Sequence, residues 1–265
     1  MDKKILLFIP MYNCEKQITR VLGQIDNTVT PFISEVIVVN NRSTDGGEAT
    51  AVEYCKAHPE LPVKILRNDE NYGLGGSHKV AFQYAIAHNF DYVIVLHGDD
   101  QGSIRDVLPL IESGDYQNYD CCLGGRFLRQ SQLIGYSRFR TFGNHVFNII
   151  FSLSTGKRIF DLGAGLNMYA VDILKTSFYK HYPDNLTFNC YMLFGMSVHG
   201  HIHTFFPIMW REEDQISNVK MTKQAWQTLK MAVGFFFQRD KFLEKDARVH
   251  KFDAYTSSVV YERNT

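Results

Sequence analysis

The sequence has no excess of charge of either sign, because 28 lysines and arginines face 28 aspartates and glutamates. Without an overall positive charge the chain has no general means of holding nucleic acid, although this balance does not exclude a local basic patch. Cysteine is also scarce, since the five thiols are odd in number and none forms a C-x-x-C pair. The composition therefore argues against a nucleic-acid partner, a disulfide framework and a zinc site.

Long apolar runs are missing as well. Five apolar residues precede Pro10, which is too few for the core of a signal peptide. No stretch reaches the roughly 18 apolar residues that a membrane span needs. We therefore expect a cytoplasmic protein, whose contact with the inner membrane face would be peripheral.

What the chain does contain is a regular alternation of short apolar runs and helical patterns. The runs at 4–9, 35–39, 62–66 and 92–96 are typical of buried strands, and helical spacing separates them. This alternation predicts an α/β fold with a Rossmann-like, mostly parallel sheet flanked by helices. Ligands of such sheets bind beyond the carboxyl ends of the strands, where the polar segments 40–47 and 97–103 fall.

Two adjacent carboxylates, Asp99 and Asp100, directly follow the fourth apolar run. Carboxylates crowded at one sheet edge repel each other unless a cation or a donor lies between them. A divalent ion with oxygen ligands, completed by a nucleotide diphosphate, would satisfy that demand. The alternative is a polar turn in which Asp100 or Ser103 caps the next helix.

Two further groups of residues suit a phosphate. Three glycines precede Lys79 in NYGLGGSHK, so that backbone N–H groups and one cation would converge at a helix start. Arginines cluster at 126, 129, 138 and 140. One guanidinium group can donate hydrogen bonds to two oxygens of a phosphate at once. An ordinary glycine-rich turn and a solvated surface are the corresponding alternatives.

Four ordered segments make the chain resemble a family 2 glycosyltransferase. IPMYNCE is similar to the family's P-x-Y-N-E, VVNNRSTDGG to V-D-D-x-S-x-D-G, NYGLGGSHKVAF to N-x-G-x-G-x-A, and LHGDDQ to the segment with the metal-binding D-x-D. The similarity implies the GT-A fold in a single domain, residues 1–220. That domain would divide into a nucleotide-sugar half at about 1–120 and an acceptor half at about 121–220, before a helical extension and tail at 221–265.

The later segments are most similar to polyprenyl-phosphate sugar synthases of the dolichol-phosphate-mannose type. LGGRF resembles their G-S-R, DLGAGLNMY their D-x-x-S-G-F-R-x-Y, and Arg211 with Ser217 and Lys220 their R-x-x-G-x-S-K. In those enzymes the arginine segments hold the lipid phosphate. The resemblance therefore implies a lipid-phosphate acceptor, with a glycan acceptor as the alternative, bound by Arg126, Arg138, Arg211 and Gln101.

The resemblance also implies an inverting transfer from a UDP- or GDP-sugar. Mn²⁺ or Mg²⁺ on Asp99 and Asp100 would stabilise the leaving diphosphate, assisted by Lys79. The residues implied in binding the nucleotide sugar are Pro10, Tyr12, Asn13, Asn40, Asp45, Gly75, Lys79, His97, Gly98 and Asp99.

Three residues depart from the family pattern. Asn40 replaces the aspartate that commonly contacts the base, His97 occupies the first aspartate of D-x-D, and Asn167 replaces an arginine of the synthases. Imidazole suits manganese better than magnesium, so the ion should rest mainly on Asp99. These departures keep a non-catalytic nucleotide- or glycan-binding module open as an alternative.

The acceptor decides whether a general base is required. A hydroxyl acceptor would need one, and the segment YPDNLTFN offers only Asp184. A phosphate acceptor is already ionised near neutrality, because its second pKa is about 6. We therefore predict Asp99 and Arg126 as catalytic residues, with Asp184 as the base if the acceptor is a hydroxyl.

The segment Thr222–Phe237 has helical spacing, aromatic residues on one face and lysines at 220, 223 and 230. Such a helix is suited to resting on a membrane surface. More often such an apolar stripe packs on the protein's own core, and that is the interpretation we prefer here. The sequence also leaves an oligomer open.

Overall fold

The computed structural model describes residues 3–213 and 221–263. The strands are β1 Ile5–Met11, β2 Glu35–Asn40, β3 Val63–Asn68, β4 Tyr92–Leu96, β5 Cys121–Gly125, β6 Gln132–Ile134, β7 Leu166–Ala170, β8 His203–Pro207, β9 Met209–Arg211 and β10 Ser257–Glu262. The helices are α1 Ile18–Leu22, α2 Gly47–Ala57, α3 Gly73–Ala87, α4 Leu108–Glu112, α5 Arg138–Thr155, α6 Val171–Lys175, α7 Phe188–Val198, α8 Met221–Phe237 and α9 Arg239–Glu244.

Eight strands form one central sheet in the order β10-β3-β2-β1-β4-β7-β5-β8. Strands β1 to β4 run parallel, and every side chain of β1 and β4 is buried. Such strands read as unbroken apolar runs because helices cover both faces of the sheet. This explains why the four runs identified in the sequence are strands, each within two residues of its predicted ends.

The second half of the sheet departs from the parallel pattern. Strand β7 pairs antiparallel with β4, β5 pairs antiparallel with β7, and β8 lies parallel to β5 at the edge. The carboxyl ends of β1, β2 and β4 therefore open beside the loops that follow β5 and precede β7. The candidate site lies in this region.

The last strand, β10, belongs to the central sheet rather than to a separate tail. It pairs antiparallel with β3, at the edge of the sheet's first half. Residues 257–262 have no clear strand pattern in the sequence, because β10 is half exposed and an edge strand needs few apolar residues. Residues 221–265 are thus more than a helical extension, since their described part also completes the sheet.

Candidate active site

The loops that follow β1 and β2 are joined by side-chain to backbone hydrogen bonds. The Asn13 carboxamide oxygen accepts the N–H of Thr44 at 2.8 Å, and an Asp45 carboxylate oxygen accepts the N–H of Glu15 at 2.9 Å. Neither Asn13 nor Asp45 lies among the residues that line the adjacent cavity. Both shape the rim of that cavity by holding its loops together.

This cavity, which we call the donor cavity, has a volume of about 330 Å³ and lies at the carboxyl ends of β1 and β4. The half-exposed Tyr12 ring stands at its mouth. Gly98 allows the chain after β4 to approach β1, since its N–H donates to the Pro10 carbonyl at 3.0 Å and a side chain would collide there. Of the residues predicted to bind the nucleotide sugar, the cavity is lined by Pro10, Tyr12, His97, Gly98 and Asp99.

Among the described residues, Asp99 is the one acidic residue that lines the donor cavity. Burial, reinforced by the charges of Asp100 and Glu212, raises the pKa of Asp99 to about 6. One of its oxygens accepts the N–H of Gln101 at 3.3 Å, and the Gln101 carbonyl accepts the N–H of Arg211 at 2.9 Å. Gln101 and Arg211, which were predicted to bind the acceptor, therefore lie on the same side as Asp99, and neither lines the second cavity, between α5 and α8.

The Asp100 carboxylate is already engaged by protein groups. Arg20 donates to it at 2.6 Å and Gln24 at 3.2 Å, while the Arg211 guanidinium lies 4.0 Å away. Within residues 3–213 and 221–263, no three His, Cys, Asp or Glu side chains are grouped so as to hold a metal. A divalent ion nevertheless fits Asp99, because a cation relieves the cost of a buried carboxylate and a diphosphate supplies further oxygens.

His97 lies at the junction of the donor cavity and a second cavity, and lines both. Burial, followed by the charge of Arg126, lowers the pKa of His97 to about 4, so the imidazole is neutral near pH 7. Its Nε2 atom is buried and has no hydrogen-bond partner among the residues that the structure describes. Gly165 makes room for the ring, which a side chain at that position would strike.

The second cavity, which we call the acceptor cavity, has a volume of about 600 Å³ and lies between α5 and α8. Its walls include the aromatic rings of Tyr136, Phe139 and Phe147. Two arginines, Arg126 and Arg140, also line it. A cavity with aromatic walls and two cations, both beside the Tyr136 ring, suits an amphiphile with an anionic head.

Arg126 is held rigidly by a buried carboxylate. Its Nε and Nη2 atoms donate to the two oxygens of Asp161 at 2.8 and 2.7 Å, and Asp161 is only 3% exposed. The guanidinium also lies over the Trp210 ring, 5.1 Å from its centroid. The Nη1 atom takes part in neither bond to Asp161, and Arg126 is among the residues that line the acceptor cavity.

The second arginine of the acceptor cavity is Arg140, where the sequence predicted Arg138. Two residues apart on a helix, these side chains face different directions. Arg138 is exposed at the start of α5, whereas Arg140 packs on the Tyr136 ring and pairs with Glu212 at 2.5 Å. Helical spacing in the sequence could have identified Arg140 as the cavity residue. Arg140, Asn144 and Phe147 share one face of α5, and all three line the cavity.

Lys79 and Asp184 are brought together, but not into either cavity. The Lys79 ammonium is fully buried and donates to Asp184 at 2.6 Å, to the Tyr182 carbonyl at 2.7 Å and to the Tyr255 hydroxyl at 3.1 Å. Gly75 lets α3 approach this segment, since its N–H donates to the Asp184 carbonyl at 2.7 Å. Lys79 thus reaches no diphosphate in the donor cavity, because its donors are used inside the protein.

Asn40 also lies outside the donor cavity. Its amide donates to Glu48 at 2.6 Å and its oxygen accepts the N–H of Ser43 at 2.9 Å. The neighbouring Asn41 lines the cavity instead, together with Asn71. Ser217 and Lys220, which completed the resemblance after Arg211, lie outside the described residues.

The two helices beside the acceptor cavity expose apolar side chains. On α5 these are Phe139, Phe142, Val146, Ile149 and Leu153, and on α8 they are Trp226, Val233, Phe236 and Phe237. The core side of α8 is formed by other residues, Thr228, Ala232 and Phe235. The apolar stripe predicted for this helix is therefore exposed at Trp226 and Val233 and does not pack on the core at these positions. Among the described residues, no helix combines the length and the hydropathy that crossing a membrane requires.

Several curated relatives of this chain carry undecaprenyl phosphate in their names. It is 28% identical over 183 residues to the undecaprenyl-phosphate 4-deoxy-4-formamido-L-arabinose transferase of Pectobacterium carotovorum, covering 68% of this chain and 52% of that protein. It is 25% identical over 174 residues to the transferase of the same name from Klebsiella pneumoniae, covering 65% of this chain and 50% of that protein. The chain thus spans about half the length of these relatives.

Solved structures share the fold. The mannosyltransferase PcManGT from Pyrobaculum calidifontis, in complex with GDP-Man and Mn²⁺, has a TM-score of 0.58 at 17% identity, covering 89% of this chain and 64% of that one. S. aureus TarS 1–349 in complex with UDP-GlcNAc has a TM-score of 0.57 at 17% identity, covering 91% and 70%. These likenesses confirm the predicted α/β architecture of the GT-A type.

The family follows from a match that spans more than half of the chain. The model described as Glycosyl transferase family 2 matches residues 7–178, from β1 to the loop after α6. That range contains the donor cavity's carboxylate and both arginines of the acceptor cavity. The chain belongs to glycosyl transferase family 2.

Proposed function

We propose that this protein transfers a sugar, with inversion, from a nucleotide-diphosphate sugar to a polyprenyl phosphate. The observation that carries the proposal is the meeting of two unlike cavities. Leu74, His97 and Leu186 line both the donor cavity, with its carboxylate, and the acceptor cavity, with its arginines and aromatic walls. A sugar held at this junction would contact a nucleotide on one side and an amphiphilic anion on the other.

The donor cavity suits the nucleotide part of a UDP- or GDP-sugar. The exposed Tyr12 ring offers a face on which a base can stack. Asp99 would hold a divalent ion, Mn²⁺ or Mg²⁺, which when bound supplies the positive charge that stabilises a leaving diphosphate. The solved structures of the fold with GDP-Man and Mn²⁺ and with UDP-GlcNAc support this assignment.

The acceptor cavity suits a lipid phosphate. Arg126, fixed by Asp161, and Arg140 would bind the phosphate oxygens, and the aromatic walls would cover the first part of the polyprenyl chain. An oxygen of the bound phosphate attacks the anomeric carbon from the side opposite the diphosphate. The bond from that carbon to the diphosphate oxygen breaks, and the nucleoside diphosphate leaves with the electron pair.

This reaction needs no general base, because the acceptor phosphate enters with an ionised oxygen. A glycan hydroxyl would need one. The residue that the sequence offers as a general base, Asp184, is paired with Lys79. It also accepts a hydrogen bond from the Tyr255 hydroxyl at 2.9 Å. This engagement favours the phosphate acceptor over the hydroxyl acceptor, and it assigns Asp184 a structural role.

The acceptor would enter from a membrane surface. Phe139 belongs both to the acceptor cavity and to the exposed apolar face of α5. The apolar faces of α5 and α8 therefore continue the cavity outward, as an amphipathic pair lying in the interface of a bilayer would. Resting there, the protein would receive its lipid without exposing the polyprenyl chain to water.

Two arginines of one helix provide the test of the acceptor site. Arg140→Gln should reduce transfer to a short-chain polyprenyl phosphate by about 10- to 100-fold, because a hydrogen bond to a charged group contributes about 1.5–3 kcal/mol. Arg138→Gln removes an exposed charge two residues away and should leave the rate near that of the unmodified protein. The rate of sugar transfer from a radiolabelled donor to the lipid is measured for each.

A measurement of nucleotide affinity distinguishes a defect in the acceptor cavity from a defect in the donor cavity. Nucleotide affinity, measured by calorimetry, should be the same in both variants because neither residue lines the donor cavity. Equal loss of transfer in both variants would contradict the acceptor site at Arg140. Efficient transfer to a sugar hydroxyl, with none to the lipid phosphate, would contradict the proposed acceptor altogether.

A further inference from the structure

A third cavity, which we call the α8–α9 cavity, lies at the C-terminal end of α8. It has a volume of about 660 Å³ and is bounded by the last turns of α8, by α9 and by the segment 245–248 that follows α9. Among the described residues, none that lines it also lines the donor cavity or the acceptor cavity. The α8–α9 cavity is therefore separate from the site described above.

One wall of the α8–α9 cavity is apolar and continuous with the exposed face of α8. The Tyr191 and Phe242 rings, which line it, stack on each other with centroids 5.2 Å apart. Val233 and Phe237 also line it, and they are 46% and 76% exposed. An apolar ligand group can therefore extend from the exposed face of α8 onto the two rings.

Two lysines give the same cavity a positive charge. Lys241 and Lys245 line it, are exposed, and form no ion pair with an acidic residue that the structure describes. They are four residues apart at the end of α9, so the two like charges lie on one face and repel each other. The other charged pair of the cavity cancels, because Arg248 donates to both Asp246 oxygens at 3.0 and 2.9 Å. An anion beside the two lysines would relieve their repulsion.

The helices with exposed apolar faces also belong to the basic segments of a chain whose charges balance overall. Residues 138–158 contain four arginines and lysines and no acidic residue, and residues 221–251 contain seven against three. Each segment thus carries four positive charges in excess. Basic residues beside exposed apolar side chains are typical of a surface that binds an anionic bilayer. A second copy of the same basic face would instead be repelled.

We infer that the α8–α9 cavity binds an anionic phospholipid of the bilayer, with the phosphate of its headgroup at Lys241 and Lys245 and its acyl chains along Val233 and Phe237. This inference rests on the proposed function, which brings the protein to a bilayer surface to receive its acceptor. The lipid bound here is a constituent of that bilayer and not a substrate. It would hold α8 at the surface, and the first half of α8 lines the acceptor cavity.

The double variant Lys241→Gln/Lys245→Gln tests the site. Its affinity is measured by flotation with vesicles made of equal parts of phosphatidylglycerol and phosphatidylcholine. The variant should bind them about 10- to 30-fold more weakly than the unmodified protein, because each lysine near an anionic surface contributes roughly fivefold. The matched control, Lys56→Gln/Lys175→Gln, removes two exposed lysines from α2 and α6 and should bind as the unmodified protein does.

Two results of the vesicle experiment would overturn the inference. Equal weakening in both double variants, or no binding of the unmodified protein to the phosphatidylglycerol vesicles, would show that the cavity holds no such lipid. Phosphatidylcholine vesicles that carry polyprenyl phosphate identify the lipid. Loss of binding to these vesicles alone, with binding to phosphatidylglycerol intact, would overturn the inference in favour of the acceptor lipid.

The transfer reaction distinguishes this inference from the proposed function. Transfer to a short-chain polyprenyl phosphate without vesicles should be unchanged in Lys241→Gln/Lys245→Gln, because neither lysine lines the acceptor cavity. Absence of transfer by an unmodified protein that still binds phosphatidylglycerol through these lysines would contradict the proposed function alone.

Discussion

Replacing Lys79 with methionine should lower the free energy of unfolding by about 3–5 kcal/mol, the cost of removing one partner of a buried ion pair. The Lys79 ammonium is fully buried, and the Asp184 carboxylate it holds is 12% exposed. Without Lys79, that carboxylate would keep only the Tyr255 hydroxyl among the hydrogen-bond partners described here. Denaturant unfolding of the purified variant measures the change.

Two further variants serve as controls for this measurement of stability. Lys79→Met combined with Asp184→Asn removes both charges and should recover part of the lost stability, since no unpaired carboxylate is left. Lys3→Met breaks the exposed pair with Asp91 and should cost no more than about 1 kcal/mol. If Lys79→Met instead kept its stability and lost affinity for nucleoside diphosphates, the original phosphate-binding interpretation of Lys79 would stand.

Replacing Asp99 with asparagine should slow sugar transfer by about 100-fold or more, because a metal's stabilisation of a leaving group is worth several kcal/mol and each 1.36 kcal/mol is a factor of ten. The variant keeps the size of the side chain and removes the charge that would hold the ion in the donor cavity. Transfer is measured over a titration of Mn²⁺, and Mn²⁺ binding in the presence of nucleotide is followed by electron paramagnetic resonance.

Asp100→Asn is the comparison for this prediction. The Asp100 carboxylate is engaged by Arg20 and Gln24, so its loss should disturb the loop and reduce the rate less than the loss of Asp99. If Asp100→Asn lost Mn²⁺ binding while Asp99→Asn kept it, the assignment of the ion to Asp99 would be contradicted.

The parallel half of the fold was predictable because each of its strands is recognisable from consecutive residues alone. Strands covered on both faces must be apolar throughout, so β1 to β4 stand out as runs in the sequence. Helix α5 was missed although its exposed apolar residues recur every three or four positions, from Phe139 to Leu153. Strand β10 gave no such signal, because its place beside β3 depends on pairing with residues that are remote in the sequence.

The site was predictable in its segments and less so in its individual side chains. The segments named by the resemblance meet at one edge of the sheet, and Asp99, Tyr12 and His97 line the donor cavity. Consecutive residues at a strand end face opposite sides, so Asn41 and not Asn40 reaches the cavity. Asp184 and Arg140 depend on contacts between distant elements, which spacing along one segment does not reveal.

The pairing of β10 with β3 has a consequence for how the protein is made. The Tyr72 and Thr256 hydroxyl groups, which contact each other beside these strands, are 184 residues apart in the sequence. While the chain is being synthesised, β3 presents an unpaired edge that can pair with another chain until residues 257–262 emerge. Contacts over such a separation also form slowly. The half of the sheet that is synthesised first is therefore the last to be completed, because its edge at β3 is paired only by the final strand.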